Sequence, residues 1–113
     1  MLSNIKEVPD VISRSSAVNN NFSIVASGIK TLDVQIFNRW GLQIFDKIYN
    51  ESTIKTEDYN INGTPSTFKK YFIWDGTNNK GSKAAAGTYF FIIKATKMDN
   101  STEDKKGTIT LLD

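Results

Sequence analysis

The sequence predicts an all-β domain folded as a two-sheet antiparallel sandwich. Two observations lead there. β-Branched and aromatic residues come in short runs alternating with a period of two, and clusters of Gly, Asn, Asp and Ser separate those runs. No stretch sustains the 3.6-residue period of an amphipathic helix.

Taken in order, Val8-Pro9-Asp10-Val11-Ile12 reads as a first, edge-like strand, since Pro9 has no N–H for a ladder. Ser13 to Asn21 is polar and turn-like. Phe22-Ser23-Ile24-Val25-Ala26 forms a second strand, broken by Ser27-Gly28. Leu32, Val34 and Ile36 share one face while Asp33 and Gln35 share the other, the mark of a half-buried strand. Asn38-Arg39-Trp40-Gly41 turns the chain and Leu42-Gln43-Ile44-Phe45 returns, so 31–46 is read as a hairpin with Trp40 as a core anchor. Residues 47–70 fit either a short exposed strand or a long loop, with a turn at Gly63-Thr64-Pro65-Ser66. Tyr71-Phe72-Ile73-Trp74 is a strand ended by Asp75-Gly76. The alanine run at Lys83-Ala84-Ala85-Ala86-Gly87 is too short to nucleate a helix.

Thr88 to Lys97 is the strongest strand. Tyr89, Phe91, Ile93 and Ala95 lie on one face and Phe90 and Ile92 on the other, so it is read as central and covered on both sides. Met98 to Lys106 is read as a charged hairpin loop, and Gly107 to Leu112 as the closing strand. The count is about seven strands, the pattern of an immunoglobulin-like sandwich without the Cys pair of antibody domains.

Composition narrows function. The 113 residues point to one domain, large enough to bury its own core. There is no Cys, which excludes disulfides, thiolate metal sites and a thiol nucleophile. There is no His, the commonest general base and metal ligand, which weighs against an enzyme. Charges are interspersed at a net +2, with Arg only at Arg14 and Arg39, so no nucleic-acid footprint shows. No apolar run reaches membrane-spanning length, and the start has no signal-peptide core. An export signal would therefore lie upstream, in a longer protein.

Little in the sequence can carry chemistry. Asp75, Thr77 and Asn79 have the spacing of a calcium loop, but Lys80 replaces its glycine and no Glu closes it, so a capped turn is preferred and no metal is expected. Glu51, Glu57, Asp58, Asp99, Glu103 and Asp104 are read as solvated loop charge rather than a glycosidase pair. Tyr71, Phe72, Trp74, Tyr89, Phe90 and Phe91 could form a sugar platform. A core explains most of them better, with one or two left exposed.

Four motifs occur in a fixed order: Ile36-Phe37-Asn38-Arg39-Trp40-Gly41 with Ile44-Phe45, then Trp74-Asp75-Gly76, then Gly87-Thr88-Tyr89-Phe90-Phe91, then Gly107-Thr108-Ile109-Thr110-Leu111-Leu112. Together, over about residues 8–113, the chain resembles the gliding-motility-associated C-terminal domain of Bacteroidota surface proteins, the type B sorting signal of the type IX secretion system. It departs from that family where Ser15 to Phe22 replaces an Asn-Gly-Asp-rich segment, in the long 47–70 stretch, and at the acidic Asp113.

The resemblance implies a single C-terminal sorting domain over 1–113, without catalysis or cofactor, at the end of a large surface protein such as a gliding adhesin. It implies passage through the periplasm, recognition by the type IX machinery and a cognate outer-membrane β-barrel, and delivery to the cell surface or beyond. Arg39, Gly41, Asp75, Thr108, Thr110 and Leu112 are expected to contact the partner, the last strand by strand addition at a sheet edge. Asn38, Trp40, Trp74, Gly76, Gly87, Tyr89 and Gly107 are expected to shape the motifs. The alternative is a carbohydrate-binding or adhesive sandwich module.

Overall fold

A computed structural model describes residues 6–8, 11–13, 21–58 and 68–112. Among them are nine strands and no helix: β1 (Lys6–Val8), β2 (Val11–Ser13), β3 (Phe22–Ala26), β4 (Ile29–Phe37), β5 (Gln43–Asn50), β6 (Lys55–Asp58), β7 (Lys69–Trp74), β8 (Gly87–Lys97) and β9 (Thr102–Leu112). They form two sheets, ordered β1-β3-β7-β6 and β2-β9-β8-β4-β5. The sandwich expected from the sequence is therefore present, with more strands than the seven or so anticipated.

The extra strands have local causes. The first expected strand is two: β1 pairs antiparallel with β3, whereas β2 pairs with β9 in the opposite sheet. The chain changes sheets between Val8 and Val11, at a proline that cannot donate to either ladder; Pro9 and Asp10 themselves lie outside the described residues. The β2–β9 pair is parallel, an exception to the antiparallel plan. In the ambiguous middle, β5 runs on to Asn50 and a short exposed β6 follows, while the turn expected at 63–66 lies outside the described residues. The charged loop expected at 98–106 is mostly strand: β8 and β9 pair as far as Thr96 and Thr102.

The core lies between the sheets. Leu32, Val34 and Ile36 of β4, Tyr89, Phe91, Ile93 and Ala95 of β8, and Ile109 and Leu111 of β9 face Phe22, Ile24, Tyr71 and Ile73 of the opposing sheet. A fully buried side chain of this kind contributes ~1.5–3 kcal/mol. Phe22 packs on Phe91 with centroids 4.8 Å apart, and Trp74 sets its edge against Tyr89 at 5.4 Å. Buried aromatic polar atoms find partners: Trp74 Nε1 donates to the Thr77 carbonyl (2.7 Å), Tyr89 OH to Ala85 (2.6 Å) and Tyr49 OH to Ile73 (3.0 Å). The first two bonds tie the motif loops to the core, and the third joins β5 to β7.

Two expectations about the core fail. Trp40 is 76% exposed and anchors nothing in the interior. Phe90 and Ile92 are 44% and 37% exposed, so β8 is central in its sheet but covered on one face only. A continuous apolar run does not distinguish a doubly covered strand from one with a sticky outer face.

Where β9 enters the sheet, Glu103 and Lys105 fall on the same face as Ile109 and Leu111, an inward-charge device that discourages further strand pairing. Glu103 Oε1 is sealed from solvent with no hydrogen-bond partner among the described residues. Burial raises the Glu103 carboxyl above the ordinary glutamate range, and Lys97 and Lys105 pull it back. A carboxyl whose folded-state pKa lies above its unfolded value stabilises fully below the unfolded value and loses that contribution as pH rises through the folded one. Glu103→Gln should therefore melt higher than the parent at neutral pH, and the difference should vanish in thermal scans below the glutamate range.

Candidate partner-recognition surface

The β4–β5 turn is built from its sequence. Gly41 N–H donates to the Asn38 carbonyl and Asn38 N–H to the Leu42 carbonyl (both 2.9 Å). Asn38 Oδ1 accepts from the backbone N–H of both Trp40 and Leu42 (3.0 Å each). Gly41 sits at φ +82°, the left-handed region that favours glycine. This is a type I turn closed by a left-handed residue, held from within by an asparagine side chain. Its two central residues are thrown outward. Arg39 is exposed, and its guanidinium carbon lies 4.5 Å from the centre of the Trp40 ring. The turn thus displays a stacked Arg–Trp pair, a type of residue enriched at interface hot spots.

Beside that pair is a shallow groove of about 160 Å³, whose other wall is the chain at 85–88. Register carries the closing strand to the same end of the sheet: Gly87 opposes Leu111 and Thr88 opposes Thr110. Arg39, Gly41, Thr110 and Leu112 therefore share one end of the five-stranded sheet, with Leu112 47% exposed and Thr110 half-buried. Thr108 lies on the outer face opposite Phe90, where Phe37, Phe90, Ile92 and Thr108 line an apolar hollow.

The expected strand addition at the chain's end does not fit. β2 already pairs with Thr110, Leu111 and Leu112, so that part of β9 is internal. The β5 edge is also guarded. Asn79 N–H donates to the Ile44 carbonyl (3.2 Å), its Oδ1 accepts from Asp46 N–H (3.0 Å) and its Nδ2 donates to Asp46 Oδ1 (2.8 Å), occupying that edge as a paired strand would.

Asp75 stands apart from the Arg39 end. It accepts from Thr77 Oγ1 (2.6 Å) and lines a different hollow with Lys47, Tyr49 and Lys55. Burial first, and then the charge of Asp75, raise the Tyr49 phenol. With Asn79 turned to Asp46, the three residues of calcium-loop spacing do not converge, and the described residues contain no cluster of three or more acidic side chains able to hold a metal. The aromatic surface is partly taken as well. Lys47 lies 5.1 Å over Tyr49, and Lys55 and Lys70 lie 5.4 and 5.3 Å over Phe72.

The structural motif residues divide cleanly. Asn38 shapes the turn, Trp74 and Tyr89 are core, Gly76 is buried, Gly87 opens β8 and Gly107 passes beneath the Phe91 ring. Trp40 belongs to the surface, as does the exposed Gly87. Sequence reasoning missed the outer-face hollow at Phe37 and Phe90, whose only signal was the unbroken apolar run at 89–93.

This sandwich, with its ordered turn motifs and no clustered chemistry among the described residues, belongs to a known class. The chain matches the CHU_C type IX secretion signal domain over residues 6–111 and belongs to that family. It is a sorting signal of the type IX secretion system, a family not known as catalytic, and its destination is the cell surface or the extracellular space. No curated protein matches the sequence. No helix among the described residues is long and apolar enough to cross a membrane.

Proposed function

We propose that residues 1–113 are the single C-terminal sorting domain of a larger surface protein, such as a gliding adhesin of the Bacteroidota, and that the domain catalyses nothing. It crosses the periplasm folded and is read by the type IX machinery together with a cognate outer-membrane β-barrel. The surface that is read is the end of the five-stranded sheet carrying Arg39, Gly41, Thr110 and Leu112, extended along the outer face by Thr108. Asp75, away from that end, holds its own loop. The observation that carries this reading is the exposed Arg39–Trp40 stack on a rigid turn. A folded signal needs such a pre-organised knob rather than a cleft.

The test places a signal peptide and a fluorescent reporter ahead of residues 1–113 in a bacterium with a type IX system and the cognate partner. The reporter is expected outside the cell. A reporter that stays in the periplasm with the partner present sinks the proposal. Arg39→Ala should lower export while moving unfolding free energy by under ~0.5 kcal/mol, as exposed truncations do.

A further inference from the structure

Three turns of this chain share one construction: 38–42, 78–82 and 97–101. In each, the first residue's N–H donates to the fifth residue's carbonyl (2.9, 2.9 and 2.8 Å), and the fourth residue's N–H donates to the first residue's carbonyl (2.9, 3.0 and 2.8 Å). The fourth residue is left-handed every time: Gly41 at +82°, Gly81 at +82° and Asn100 at +69°. The first two are also caged alike, Asn78 Oδ1 accepting from Lys80 and Ser82 N–H as Asn38 Oδ1 does from Trp40 and Leu42.

Two of the three dock. The second residue's N–H is left outside the turn's own bonds and reaches a main-chain carbonyl of a neighbouring segment: Asn79 N–H to Ile44 on the β5 edge (3.2 Å), and Met98 N–H to Gly28 (2.9 Å). In the third copy that position is Arg39. Its N–H has no protein acceptor and its guanidinium no ion-pair partner among the described residues, while Trp40 beside it is exposed.

We propose that the 38–42 turn docks on an extended segment of the protein that reads this domain, as its two sister turns dock within the chain. Arg39 N–H donates to a main-chain carbonyl of that segment. The guanidinium meets a carboxylate beside it, and the Trp40 ring covers the contact. The turn is already ordered by four internal hydrogen bonds, so little conformational freedom is lost on docking. This rests on the reading of residues 1–113 as a sorting domain recognised at that end.

The backbone contact can be isolated by substitution. Proline suits the second position of a type I turn and lacks only the N–H that the turn itself does not use. The reporter assay is run with the parent domain, Arg39→Ala, Arg39→Pro and Trp40→Ala, with thermal unfolding of each purified domain as the check on folding. Arg39→Ala removes the guanidinium and keeps the N–H; Arg39→Pro removes both. Export with Arg39→Pro should fall about threefold or more below Arg39→Ala, the order of one main-chain hydrogen bond. Trp40→Ala should lose about tenfold, as a hot-spot aromatic does. Equal export by the Pro and Ala variants overturns the backbone contact. If Arg39→Pro melts early, Trp40→Ala decides, and parent-level export there overturns the docking. A parent domain that exports nothing defeats the sorting reading itself, a result distinct from the other two.

Discussion

Trp74→Ala should bring the domain close to unfolding at ambient temperature, while Trp40→Ala should leave its stability almost unchanged. Trp74 is 2% exposed, packs edge-on to Tyr89 and also contacts Phe45 across 6.5 Å between ring centres. Emptying such a site costs ~3–5 kcal/mol, against a total of ~5–15 kcal/mol for a domain. The indole does a second job, donating to the Thr77 carbonyl and holding the loop that carries Asn79 onto the β5 edge. Trp74→Phe should keep most of the packing but lose that bond, at about 0.5–1.5 kcal/mol. With the loop loosened, the β5 edge should become more open to aggregation. Trp40, by contrast, gives up only an exposed stack on Arg39, worth ~0.5–1 kcal/mol at most. Urea denaturation reads both variants, and midpoints that fall equally would show that the two tryptophans share the core after all.

The contrast marks where the sequence was legible. Period-two alternation fixed the inward faces of β4 and β8, because each such face packs on a single opposing sheet. The turn at Asn38 was legible from its asparagine and glycine, whose backbone preferences are local. Which way Trp40 points was not. It sits in the turn beyond the end of β4, and a tryptophan suits a core and an interface hot spot equally. The split of the first strand between sheets was hidden because each half is short and paired with a distant partner: Val8 with Ser23, Val11 with Thr110. Partner residues named from the motifs fell on two surfaces, since Asp75 and Arg39 are neighbours in motif order but not around the sandwich. The kinship of the three turns was obscured because the 97–101 turn carries Asn100 where the others have glycine.

Gly107→Ala should destabilise the domain by about 1–3 kcal/mol, the usual cost of overpacking a core, although only a methyl group is added. Gly107 lies opposite Phe91 in the β8–β9 ladder, and the Phe91 ring lies across it. A Cβ built on Gly107 would stand 2.8 Å from Phe91 Cε2 and 2.9 Å from Cζ, well inside contact distance. An exposed ring would swing away at little cost. Phe91 cannot, because it is 1% exposed and its other side is held by Phe22 at 4.8 Å. The added methyl must therefore push β9 out of register, strain the Phe91 rotamer or displace Phe22, each of which disturbs the centre of the sandwich. The backbone at Gly107 is not left-handed, so the cost is one of space rather than conformation. That makes it repairable. Phe91→Leu alone should lower the unfolding free energy by leaving a void. Combined with Gly107→Ala it should cost less than the sum of the two, because the smaller side chain yields the room the methyl needs. The double-mutant cycle, read by chemical denaturation, should give a coupling of at least ~0.5 kcal/mol in that direction. Strict additivity would mean that Gly107 serves the strand for a reason other than the ring above it.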